Sequence, residues 1–220
     1  MIALEMSGVH KTYVRHLAGG RRLPVLRDVD LAVATGEAVV VRGPSGSGKS
    51  TLLACAYRSA LVDEGRIVLG GSLDLVAATE REVLAARRDR MAMATQFLQV
   101  VPRVAALDLV REQGLDAESA GGLLARLGLP VELHDLPPAT FSGGQRQVVN
   151  LAIALARPRP LLLLDEVTAA LDPARRATVL AELAARKRAG AAVLAVFHDV
   201  PETPGLVDRV LTLRDGALAA

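Results

Sequence analysis

Nine consecutive residues, Gly43-Pro44-Ser45-Gly46-Ser47-Gly48-Lys49-Ser50-Thr51, have the types and spacing to hold a triphosphate. Glycines let successive backbone N–H groups converge on an anion without side-chain clashes, and a following helix adds its positive N-terminal end. In a G-x-x-x-x-G-K-[ST] arrangement Lys49 reaches the β- and γ-phosphates and Ser50 serves Mg²⁺. A second feature, this one acidic, lies about 115 residues later, where four leucines, 161–164, run into Asp165 and Glu166. Asp165 fits a support for Mg²⁺, and Glu166 fits the base that orients and deprotonates an attacking water. A third feature is Phe141-Ser142-Gly143-Gly144-Gln145: Ser142 suits the N-cap of a helix running to about 156, and its glycines permit close approach to an anion.

These groups need a scaffold that delivers them to one place. The apolar runs 38–41, 161–164 and 192–197 read as buried strands, with 2–6, 29–33, 66–69 and 209–213 as further strands. Asp172 and Pro173 start a helix that Gly190 ends. Continuous apolar strands joined by helices predict an α/β fold with a mainly parallel core sheet, whose C-terminal strand ends gather the phosphate loop and the acids. From about 79 to 157 the pattern is helical and broken by Pro102, Gly114, Pro130 and Pro137-Pro138, which reads as an inserted helical subdomain. Residues 117–127 place Leu123, Leu124 and Leu127 on one helix face.

Composition narrows the alternatives. At 220 residues and 51% apolar content the chain can bury one domain, and a net charge of +2 gives no electrostatic case for nucleic acid or an anionic membrane. Two Tyr, three Phe and no Trp leave little material for stacking bases. The single cysteine, Cys55, excludes an internal disulfide and reads as a packing residue. No apolar run reaches the roughly 18 residues of a membrane span, and residues 1–6 do not form a signal peptide, so a cytoplasmic protein without direct membrane insertion is expected.

With the phosphate loop before it and the acidic strand after it, the Ser142 loop resembles the signature loop of ATP-binding-cassette (ABC) ATPases. The resemblance covers nearly the whole chain. It implies a P-loop fold with an N-terminal antiparallel β subdomain (core 1–90 and 158–220) and a helical subdomain at about 91–157. ATP and Mg²⁺ are the implied cofactors. Tyr13 resembles the aromatic that stacks on adenine, Gln96 the Q-loop residue that senses Mg²⁺ and attacking water, Asp172 part of the D-loop, and His198 the switch histidine at the γ-phosphate. In the family the Ser142–Gln145 loop faces a nucleotide held by a second subunit, so a head-to-tail dimer is implied. Val148 and Ile153 stand where the family commonly has arginines, and Val167 where it has proline.

Segments 22–26, 96–107, 138–144, 190–193 and 196–199 closely resemble the L-type ATP-binding proteins of carbon–phosphorus lyase systems, the PhnL family. That resemblance implies an ATPase supporting attachment of an alkylphosphonate to the ribose of ATP. Its partners would be other lyase subunits and either a second copy or the K-type paralogue. The alternative is the ATP-hydrolysing subunit of a membrane transporter of lipoprotein- or macrolide-exporter type, whose post-Q-loop sequence is similarly apolar. In either case 98–107 reads as a partner-docking surface, or else as internal packing of the helical subdomain.

Overall fold

Side-chain alternation along three central strands divides the interior of this protein into two cores. The computed structural model describes residues 1–15, 20–96 and 103–219. β1 (Ile2–Arg15) and β2 (Arg21–Ala34) form a long antiparallel hairpin. With β4 (Glu64–Leu69) and the short β5 (Leu73–Asp74) they make a four-stranded sheet of order β2-β1-β4-β5. The second sheet contains β3 (Ala38–Arg42), β6 (Met91–Ala94), β7 (Leu161–Asp165), β8 (Ala192–Val196), β9 (Arg209–Arg214) and β10 (Ala217–Ala219), in the order β10-β9-β3-β8-β7-β6. Five of these strands run parallel, and β10 closes one edge antiparallel to β9.

Val40, Leu162, Leu164, Val193 and Ala195 face one core, while Val39, Val41, Leu161, Leu163 and Leu194 face the other. A period of two thus turns continuous apolar runs into strands covered on both sides. The first core is filled by α3 (Ala106–Arg111), α4 (Ala117–Arg126), α5 (Gly143–Leu155) and α6 (Pro173–Arg188). The second takes α1 (Lys49–Ala56), part of α2 (Glu80–Asp89) and the inner face of the antiparallel sheet. Cys55 lies fully buried there, and burial pushes its thiol pKa up to about 11, as a packing residue requires.

Local signals set the helix starts. Thr79 and Glu82 form a reciprocal capping box on α2, Asp116 caps α4, and the Asp172 carboxylate accepts the Arg175 N–H ahead of Pro173 on α6. Two features depart from the sequence expectation. The hairpin strands are 14 residues each, where only 2–6 and 29–33 carried a strand pattern; register shifts between Met6 and Val9 and between Val9 and Lys11 interrupt the alternation. β6 falls inside 91–157, the span read as helical, because four residues of Met-Ala-Met-Ala are too short to show a period. Val148 and Val167, at positions of unusual composition, are both buried in the helical-side core.

Candidate nucleotide site

The phosphate loop joins β3 to α1, and its geometry follows from Gly48. This residue takes φ 105° at the N-cap, and a Cβ there would stand 2.8 Å from the Val25 carbonyl oxygen on β2, so both conformation and space demand glycine. α1 then starts at Lys49, with the Leu52 N–H donating to the Gly48 carbonyl at 2.8 Å. Lys49 Nζ donates to the carbonyls of Gly43 and Pro44, each at 2.9 Å, which holds the ammonium across the concave side of the loop. Directly after Lys49, in the first turn of α1, the Ser50 hydroxyl hydrogen-bonds the Asp165 carboxylate.

Asp165 is the last residue of β7 and only 8% exposed. Burial pushes its carboxyl up from the ordinary range; the Ser50 hydrogen bond opposes this, the Glu166 charge adds to it, and the Lys49 charge opposes it. The chain turns sharply at the next residue. Glu166 has φ 49°, a left-handed conformation costing a non-glycine residue about 1 kcal/mol, and its N–H is fixed to the Val196 carbonyl at 2.9 Å. β8 delivers Phe197 and His198 beside it. His198 Nδ1 lies 3.3 Å from an Asp199 carboxylate oxygen, with the imidazole 83% exposed.

Beside these pieces lies a cavity of about 890 Å³, which the buried Asp165 does not itself line. Its lining combines Gly43 to Gly46, Gly48 to Thr51, Tyr13, Gln96, Glu166 and His198. Lys11 stands over the Tyr13 ring at 5.1 Å, and Tyr13 pairs across the hairpin with Leu23. Ser47 is buried behind the loop and does not line the cavity. Leu23, Val25 and Phe197 also line it; sequence reasoning gave them no site role, although apolar residues opposite Tyr13 on the second hairpin arm were a usable signal.

The Ser142–Gln145 loop and Asp172 do not line this cavity. Ser142 Oγ accepts the Gln145 N–H at 3.3 Å while Gln145 Oε1 accepts the Ser142 N–H at 2.9 Å, a capping box that leaves the Ser142 O–H as a donor. No atom lies within 4 Å of a Cβ built on Gly143, whereas one on Gly144 would meet the Ala170 carbonyl oxygen at 2.8 Å. Gly143 therefore faces open space, and Gly144 is glycine because α5 packs directly on the loop after β7. Asp172 is occupied structurally: the Arg175 N–H and guanidinium hold its carboxyl below the usual range. Of the segment 98–107, residues 98–102 lie outside the described residues.

The ABC transporter family profile matches residues 26–169. The chain belongs to the ABC transporter family. This ABC ATP-binding domain is 37% identical, over 99% of its length and 97% of the relative's, to the lipoprotein-releasing system ATP-binding protein LolD of Ruegeria sp. (strain TM1040). It is 36% identical, over 99% of its length and 34% of the relative's, to the macrolide export ATP-binding/permease protein MacB 1 of Aeromonas hydrophila. Among solved structures, the dimeric post-hydrolysis state of the ATP-binding cassette MJ0796 bound to ADP and Pi superposes with a TM-score of 0.88 at 28% identity, covering 99% of this chain and 97% of that one.

An ABC ATP-binding domain takes ATP with Mg²⁺, and the donors present fit that pair. Ser50 and Asp165 offer hard oxygen ligands in contact with each other. Among the described residues no cluster of three or more His, Cys, Asp or Glu side chains could hold a metal alone. That is the donor set of an ion shared with nucleotide phosphates, as suits Mg²⁺, and not of a dedicated protein cage.

Proposed function

We propose that this chain is the ATP-hydrolysing subunit of an ABC transporter of the lipoprotein-releasing or macrolide-exporting type. The observation that carries this reading is its similarity, along nearly the full length of both chains, to a lipoprotein-releasing system ATP-binding protein. The carbon–phosphorus lyase resemblance rests on scattered segments, and the relatives described above are transporter ATPases; the order of the two sequence-based readings is therefore reversed. Both share one nucleotide chemistry.

In that chemistry the loop from Gly43 to Thr51 cradles the phosphates through backbone N–H groups, and Lys49 turns from the loop carbonyls to the β- and γ-phosphates. Tyr13 and the apolar residues beside it take the adenine. Ser50, Asp165 and Gln96 would hold Mg²⁺, which when bound would supply neutralisation of charge on the phosphate oxygens. Glu166 accepts a proton from the attacking water, and His198 and Gln96 fix the γ-phosphate and that water. Ser142, Gly143, Gly144 and Gln145 act on the nucleotide of a second subunit, with Asp172 at the contact between the two. We place the helical subdomain between β6 and β7, after residue 94, and the working protein at the cytoplasmic face of a membrane through its partner.

Affinity capture of the tagged chain from separated membrane and soluble fractions tests the assignment. A polytopic membrane protein recovered from the membrane fraction is expected. Recovery solely of a soluble multi-subunit assembly containing a second ABC ATPase would overturn the transporter reading in favour of the phosphonate one.

A further inference from the structure

Helix α5 buries two amide side chains in an otherwise apolar face. Gln147 is 2% exposed and Asn150 7%, among buried Val148, Val149, Leu151 and Ala152. Residues three apart lie on one side of a helix, and here both amides converge on one acceptor. Asn150 Nδ2 donates to the Thr95 carbonyl at 2.6 Å, and Gln147 Nε2 donates to the same oxygen at 3.3 Å.

The location of that oxygen gives the contact its meaning. The ladder between β6 and β7 ends at Ala94 opposite Leu164, so Thr95 is the first residue past the strand. Gln96 follows and lines the nucleotide cavity. At the other end of the contact, α5 begins at the Ser142 capping box. A carbonyl oxygen has two lone pairs and can accept both amides, and a buried amide deprived of its acceptor is costly, so the pair holds α5 and the 95–96 backbone in one register.

We propose that Asn150, assisted by Gln147, is a positioning residue for ATP hydrolysis: it ties the placement of Gln96 in the nucleotide cavity to the docking of the helix headed by Ser142. The inference rests on the reading above that Gln96 acts in hydrolysis. A displacement of α5 by a second subunit or a transporter partner then moves the Thr95 carbonyl, and Gln96 with it.

Single-turnover hydrolysis of ATP by excess full-length protein tests this in a double-mutant cycle of Asn150→Ala and Gln96→Ala, with ATP affinity and melting temperature measured on each variant. The expected result is a fivefold or greater loss of rate for Asn150→Ala with ATP affinity within twofold of wild type, and no further loss when it is added to Gln96→Ala. Independent, multiplying losses would overturn the proposal, because a merely structural asparagine weakens the fold whether or not Gln96 is present. An unchanged rate in Asn150→Ala alongside a slowed Gln96→Ala would overturn it while leaving the role of Gln96 intact. An unchanged rate in Gln96→Ala, or a wild-type chain without turnover, would overturn the hydrolysis reading and the inference together. Should Asn150→Ala melt below the assay temperature, Gln147→Met, which removes the second donor at similar volume, carries the same cycle and the same outcomes.

Discussion

Asp165, proposed above as a support for Mg²⁺, is a side chain whose charge burdens the fold. Its carboxyl is buried at the end of β7 beside Glu166, and burial raises its pKa above the unfolded value. The folded state therefore binds a proton that the unfolded state has already lost, and the stability tied to Asp165 falls as pH rises from the unfolded pKa through the raised folded one. Asp165→Asn keeps the Ser50 hydrogen bond and removes the charge. The expected outcome is a higher melting temperature than wild type at pH 7, a difference that shrinks in acid below the ordinary aspartate range, and loss of Mg²⁺-dependent ATP hydrolysis. Thermal scans across pH check the first two, and a phosphate-release assay the third. The phosphate loop and Glu166 were legible in the sequence because each belongs to a dense local motif, whereas Tyr13, Gln96 and His198 followed only from the family resemblance. Leu23, Val25 and Phe197 were not, since apolar cavity walls look the same as core in one dimension.

At the scale of elements, α5 is seated against the loop after β7 through a contact that only glycine allows. Gly144→Ala places a Cβ 2.8 Å from the Ala170 carbonyl oxygen, and neither backbone can yield without shifting α5 or the loop that carries Glu166. A loss of about 1–3 kcal/mol is expected in urea denaturation. Gly143→Ala meets no atom within 4 Å and gains helix propensity, so its stability should match or exceed wild type by up to about 1 kcal/mol. The pair separates packing from approach to a partner's nucleotide: equal losses at both positions would contradict this account. Helix starts were readable where caps are local chemistry, and Asp172 and Ser142 each make the expected contact. The hairpin of β1 and β2 was not, because its bulges scramble the alternation on which strand reading depends. The amides of α5 point to a distant carbonyl, and no spacing rule within a helix shows what a side chain meets across the core.

Across the whole molecule, one cavity gathers the phosphate loop, Gln96, Glu166 and His198 but not the Ser142 loop. Under the proposed mechanism two chains must meet for hydrolysis. Glu166→Gln should lower turnover by a hundredfold or more, within the usual range for loss of a general base, while Mg²⁺-ATP binding persists. Light scattering should then find a dimer with Mg²⁺-ATP and a monomer without it; a variant that remains monomeric with bound ATP would oppose the two-chain site. Family and nucleotide chemistry were legible because ordered motifs span the chain. The cargo of the proposed transporter was not, since under that reading a partner would recognise it. The left-handed turn at residue 166 has a further consequence for this protein's history. Glycine would occupy φ 49° without strain, so a lineage screened only for heat resistance is drawn toward replacing that glutamate. Under the proposed mechanism, continued selection for turnover is what keeps an acid at this left-handed bend.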